Sequence, residues 1–189
     1  MRSLLAIAAG LFVLLLASAA SAQVTAPPQA ALNKSLALAV NVWHPANCAR
    51  VSLKPYNQAD AQDSDAESAL GFALEDQCQI EINWPVVQQY ADSDAYIADV
   101  QRTREIWACT VITHEVGHLA SYYDPVGAPV LDANGKPILD DFSGEPIRDH
   151  RHSPNPHSVM YPYLRYTYPK CRKLFPAARG AHLRPDAAS

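Results

Sequence analysis

The chain has 189 residues, 49% hydrophobic and 18% charged, with a formal net charge of −4 at pH 7. That length allows one domain with a proper core, and the acidic balance argues against a nucleic-acid partner, which wants a basic face. Beyond the N-terminal run, no stretch is long and apolar enough to span a membrane.

Residues 1–22 read as an export signal. Arg2 supplies a positive start, Leu4 to Leu16 an apolar run, and Ala20-Ser21-Ala22 a small-residue cleavage site before Gln23. The apolar run is shorter than the roughly 20 residues a membrane helix needs, so cleavage rather than anchoring is expected. The protein is then secreted, extracellular or periplasmic. Cys48, Cys78, Cys109 and Cys171 all follow the cleavage site, and an even count in an exported protein suggests two disulfides. A cysteine zinc site needs close pairs, and none is present. The expected pairing is Cys78–Cys109 with Cys48–Cys171.

After a flexible start, Ala30 to Val42 is rich in Ala and Leu and suits a helix packed on the body. Val51-Ser52-Leu53 is a short strand, followed by a polar, Asp-rich loop from Gln58 to Ser68. Leu70 to Leu74 and Cys78 to Trp84 form two more strands. In the second, Ile80, Ile82 and Trp84 alternate with Gln79, Glu81 and Asn83, which predicts one buried and one wet face. Pro85 is expected to end it. This strand is either an interior one or the edge along which an extended peptide lies by β-augmentation.

A long helix is predicted from Ala95 or Asp99 to Tyr123, stopped by Pro125. It carries His114-Glu115-Val116-Gly117-His118. Residues four apart share a helix face, so the two histidines can grip one metal ion, and Glu115 beside them can act as general base. From Pro125 to Asp149 the chain changes character. Two short β-type runs flank Ala133-Asn134-Gly135, and Asn-Gly is a strong hairpin signal. Asp132, Asn134, Asp140 and Asp141 fit turn chemistry better than a calcium loop. The Pro/Ala-rich, basic stretch 172–189 reads as a loose tail.

At the helix and at Ser158-Val159-Met160-Tyr161-Pro162 the chain resembles the metzincin zinc peptidases, in particular their matrixin-like branch. That family's motif is H-E-x-x-H-x-x-G-x-x-H followed by a turn around a methionine. His114, Glu115 and His118 match its first part, and Met160 matches the Met-turn. The resemblance covers roughly residues 105–119 and 150–163. It implies an α+β fold: a small twisted mixed sheet, a long active-site helix and a Met-turn, over a catalytic domain of residues 23–171.

The middle of the motif departs from the pattern, because Ser121 stands at the glycine position and Asp124 at the third ligand. One reading takes Asp124 as that ligand. The favoured reading takes His152, since His152-Ser153-Pro154-Asn155-Pro156-His157 before the Met-turn looks like the matrixin-like run, with a hairpin at about 124–149 spliced in. Loop closure entropy grows only logarithmically with length, so such an insertion is tolerated. The absence of a glycine near 121 also leaves the helix no easy left-handed stop before Pro125, which would turn Asp124 away. His150 and His157 are expected beside the site or in solvent, and Glu145 in a loop is a poor third ligand.

The resemblance implies a Zn2+-dependent endopeptidase that hydrolyses peptide bonds of a peptide or protein substrate by metal-activated water, with Glu115 as general base. It makes Met160 a structural floor and Pro162, Tyr163 and Leu164 one wall of the substrate pocket. The competing expectation is a non-catalytic secreted protein that uses the same scaffold to bind zinc or a partner. A metal-dependent amidase ranks third.

Overall fold

The computed structural model describes residues 27–55, 69–94 and 99–177. The expected signal, the polar loop from Gln58 to Ser68 and the tail from residue 178 onward lie outside the described residues. The architecture is α+β. In chain order it comprises helix α1 (Gln29–Trp43), strands β1 (Ser52–Pro55) and β2 (Gly71–Leu74), a 3-10 turn (Glu75–Gln77) and strand β3 (Gln79–Ile82). Helices α2 (Trp84–Ser93) and α3 (Val100–Leu119), strands β4 (Ala128–Pro129) and β5 (Arg148–Asp149), and helix α4 (Pro169–Leu174) follow.

Helix α3 is the axis of the molecule. Asp99 caps its first turn by accepting from Arg102 N at 3.0 Å. From Ile106 to Leu119 every residue is buried, which makes this a central helix rather than an amphipathic surface one. Its threonines avoid orphaned hydroxyls by bonding back one turn: Thr103 to Asp99 O, Thr110 to Ile106 O and Thr113 to Cys109 O, at 2.8–2.9 Å. Helix α1 packs on it through Ala31, Ser35 and Ala39, small residues at i, i+4 and i+8 that let the backbones approach. Trp43 Nε1 donates to Thr113 O at 2.7 Å and pins the end of α1 to the C-terminal half of α3.

The three-stranded sheet has the order β1-β3-β2, with β1 parallel and β2 antiparallel to β3. The alternation expected of β3 does not hold, because all four of its residues are buried. β3 is the middle strand. Ile80 and Ile82 enter the main core, while Gln79 and Glu81, 3% and 2% exposed, bond to each other through Nε2 and Oε1 at 2.8 Å. Nor is Trp84-Pro85 the end of a strand. It opens α2, where proline's fixed φ suits the first turn and its missing N–H costs nothing. α2 buries Val87 and Ala91, and its Asp92 forms an ion pair with Arg104 of α3 at 2.9 Å. No helix among the described residues is long and apolar enough to cross a membrane.

The disulfide pairing differs from the expectation: the bonds are Cys48–Cys78 and Cys109–Cys171. Parallel pairing explains the first. Ser52 is in register with Gln79, so the segments entering β1 and β3 start at the same end of the sheet. In the second, α4 packs on α3 and both sulfurs are fully buried. Residue 172 does not begin a loose tail as expected, since Arg172 to Leu174 belong to α4 and Phe175 is buried. Two disulfides suggest a non-cytoplasmic protein.

Candidate metal centre

Helix α3 ends sooner than predicted, at Leu119 rather than Tyr123. Ser121 takes the left-handed conformation (φ 56°) that usually falls to glycine. Tyr122 N donates to Gly117 O and Ser121 N to His118 O, which is the double bond pattern of a Schellman stop. Glycine was therefore not required. The stop leaves His114 and His118 in the last two turns of the helix, on one face.

The chain then makes its excursion and returns. Asp132 closes the first hairpin by accepting from Asn134 N and Lys136 N, and Asp140 closes a second through Phe142 N and Ser143 N. Both carboxylates serve turns, as their residue types suggested. The neck of the excursion is closed by Asp124 N to His150 O at 2.8 Å, His150 Nδ1 to Asp124 O at 2.9 Å and Ala128 N to His152 O at 3.0 Å. β4 and β5 pair just inside it. The neck delivers His152 to the end of α3.

His114, His118 and His152 form one group, with ligand atoms all within 4.8 Å of one another, able to hold a metal ion. His114 Nε2 and His118 Nε2 are 3.1 Å apart, close to the about 3.3 Å edge that two nitrogens make on a tetrahedral zinc. Two of the three rings are aimed from behind. His114 Nδ1 donates to Val159 O at 2.7 Å, and His152 Nδ1 meets Asp149 Oδ2 at 2.6 Å. His118 Nδ1 is buried without a partner. Burial, above all, lowers the His114 imidazole to about 4 and His118 to about 2, with neighbouring His152 acting in the same direction. Both rings are neutral at pH 7 and offer lone pairs, as metal ligation requires.

Asp124 stands outside this group. Its Oδ1 accepts from Val126 N and Gly127 N, and its Oδ2 from Tyr122 OH. His150 stacks on Tyr123 at 5.2 Å and His157 on Tyr166 at 4.8 Å, both away from the cluster. Glu145 is an exposed residue of the second hairpin.

Glu115 lines the same cavity as the three histidines, a cleft of about 990 Å3. Burial pushes its carboxyl up to about 8, partly offset by the positive charge of Arg151. β2 lies directly against it: a Cβ on Gly71 would stand 3.2 Å from Glu115 Cγ and 2.9 Å from Val111 Cγ1. Only glycine lets the strand come this close. Pro162, Tyr163 and Leu164 line the cavity on one side, with Phe72, Ala73 and Tyr90 among the other lining residues and Leu131 and Asp132 contributed by the hairpin. The edge strand at the cavity is thus β2, whereas β3, the sequence candidate, is interior. Asn83 N bonds Leu70 O, so by antiparallel alternation the backbone groups of Gly71 and Ala73 turn away from β3.

The segment 152–160 folds as one unit. Ser153 N donates to Met160 O at 2.9 Å, Met160 N to Ser158 Oγ at 3.1 Å, and Val159 O receives His114. Met160 is fully buried, and a Cβ on Gly117 would lie 2.3 Å from its Sδ and 3.2 Å from Trp43 Cε2. Gly117→Ala is therefore expected to destabilise the fold by about 1–3 kcal/mol through overpacking. An unchanged urea midpoint would mean that Met160 has room to retreat.

Asp149, Arg151, Tyr90 and Leu131 were not identified from the sequence. They sit on loops, on α2 or, for Asp149, on the short strand β5, and no local pattern ties them to the histidines. No family model, curated protein or solved structure matches the chain.

Proposed function

We propose that the protein is a zinc-dependent endopeptidase of metzincin type, working outside the cytoplasm. One observation carries this reading: three imidazoles converge beside a buried glutamate in a cleft large enough for a peptide. Three histidines suit zinc, and three protein ligands leave a coordination position for chemistry. The 3.1 Å separation of the His114 and His118 Nε2 atoms fits the ion. His114, His118 and His152 would hold it.

Zinc, when bound, supplies the Lewis acidity that acidifies an attacking water and polarises the peptide carbonyl. Glu115 takes the water's proton and returns it to the departing amine, so no covalent enzyme intermediate forms. Its burial strengthens it as a base, because the cleft favours the protonated carboxyl. Gly71 and Ala73 of β2 offer an extended substrate backbone hydrogen bonds along the cleft, while Pro162, Tyr163 and Leu164 contact side chains beyond the scissile bond.

The alternative is a secreted binding protein that holds zinc without catalysis. A purely structural zinc has little use for an adjacent base or an open cleft, which favours the enzyme. The deciding test is cleavage of a reduced, unfolded protein by the zinc-loaded chain. We expect cleavage, its loss on chelation and its return with added zinc. One bound zinc without cleavage would move the binding-protein reading to the front.

A further inference from the structure

His114 and His118 are held by a helix, but His152 is not. It follows β5 in an irregular turn, and only the neck of the excursion carries it to the other two. A ligand on such a segment needs its own anchor to present one nitrogen in one direction.

We propose that Asp149 is that anchor: a positioning residue that fixes the tautomer and the aim of His152 for the metal. This rests on the metal-centre reading above. Asp149 Oδ2 lies 2.6 Å from His152 Nδ1, and its Oδ1 accepts from Arg151 N at 2.9 Å. An ionised carboxylate only accepts, so the imidazole proton sits on Nδ1 and the Nε2 lone pair is left for the cluster. Asp149 is itself fixed. It stands opposite Ala128 in the β4–β5 ladder, its carbonyl accepts from His152 N at 3.2 Å, and Ala128 N donates to His152 O at 3.0 Å. Ladder, turn and carboxylate thus bind backbone and ring of one ligand together, and the inserted hairpins hang from that same ladder. No other described carboxylate contacts a ring nitrogen of the three histidines.

The test is Asp149→Asn. Asparagine is isosteric and can still cap Arg151 N through its Oδ1. Its amide nitrogen then faces His152 Nδ1 and donates, which drives the imidazole proton to Nε2, the wrong nitrogen. Zinc affinity of the purified protein, measured by competition with a chromophoric chelator, should weaken 10–100-fold, about the usual effect of losing such a partner. Long-range 15N–1H spectra of the zinc-free protein should show His152 protonated at Nδ1 in the wild type and at Nε2 in the variant, with His114 unchanged. A merely structural Asp149 would weaken folding without switching the tautomer. Zinc affinity within threefold of wild type overturns the proposal. So does a wild-type His152 carrying its proton on Nε2, a result that needs no variant to fold. If the wild type binds no zinc at all, the metal-centre reading fails instead, and the spectra still report whether Asp149 sets the tautomer.

Discussion

Glu115→Gln is expected to lower cleavage of an unfolded protein by about 10²–10⁴-fold, the usual worth of a positioned general base, while zinc content stays at one per chain. The substitution keeps shape and removes only the ability to take a proton. Glu115 is 6% exposed and packed against β2 at Gly71, so a smaller side chain would also loosen the strand edge, whereas glutamine fills the same space. Its neighbours His114 and His118 keep their ring orientations, because His114 is aimed by Val159 O and both rings ride on α3. Burial already favours the uncharged carboxyl at this position, so an uncharged amide places no new strain on the fold. Zinc content by metal analysis and cleavage by gel assay separate the possibilities. Loss of both would make Glu115 structural. Retained cleavage would remove it from the mechanism and end the peptidase reading in its present form.

What the sequence disclosed, and what it withheld, divides along the range of the interactions. The spacing of His114 and His118 is a property of one helix turn, and the turn residues Asp132, Asn134 and Gly135 act within five positions, so both are local and both were legible. The Ser153-to-Met160 run that points to His152 is also local: Ser153 N to Met160 O closes it, with turn bonds to Asn155 and Ser158 inside it. Features that depend on distant partners were missed. β3 looked half-wet because Gln79 and Glu81 are polar, yet they satisfy each other in a central strand. Pro85 looked like a terminator because proline ends strands, and it is equally at home in a helix's first turn. The predicted helix runs four residues past Leu119 because a left-handed stop usually falls to glycine, and here Ser121 takes that role. Disulfide pairing is illegible because it follows from the pairing of β1 with β3 and from the docking of α4 on α3, which four cysteine positions do not encode.

The corrected pairing leads to the second large effect. Removing Cys109–Cys171 by a double alanine substitution is expected to cost roughly 4 kcal/mol, as chain entropy predicts for a closed loop spanning a sequence separation of 62. That is a large part of the about 5–15 kcal/mol that holds a domain together. The loop matters for more than its length. It encloses His114, His118, Asp149, His152, Met160 and the wall from Pro162 to Leu164, whereas the Cys48–Cys78 loop holds none of the histidine cluster. Freed at Cys171, the C-terminal segment keeps the burial of Phe175 and is otherwise tied by Arg102 Nε to Phe175 O and Tyr168 N to Thr110 Oγ1, at 2.8 and 2.9 Å. These are two hydrogen bonds, each with a net worth of about 1 kcal/mol, and they do not replace the covalent link. Zinc affinity should therefore fall along with the urea midpoint in the Cys109/Cys171 variant. Loss of Cys48–Cys78 should lower the midpoint with less effect on zinc. Half-buried Cys48–Cys78 should also yield first to a mild reductant, since the other bond is fully buried. Equal zinc loss in the two variants would show that the metal centre is held by the fold as a whole, and that the loop around it confers no separate rigidity.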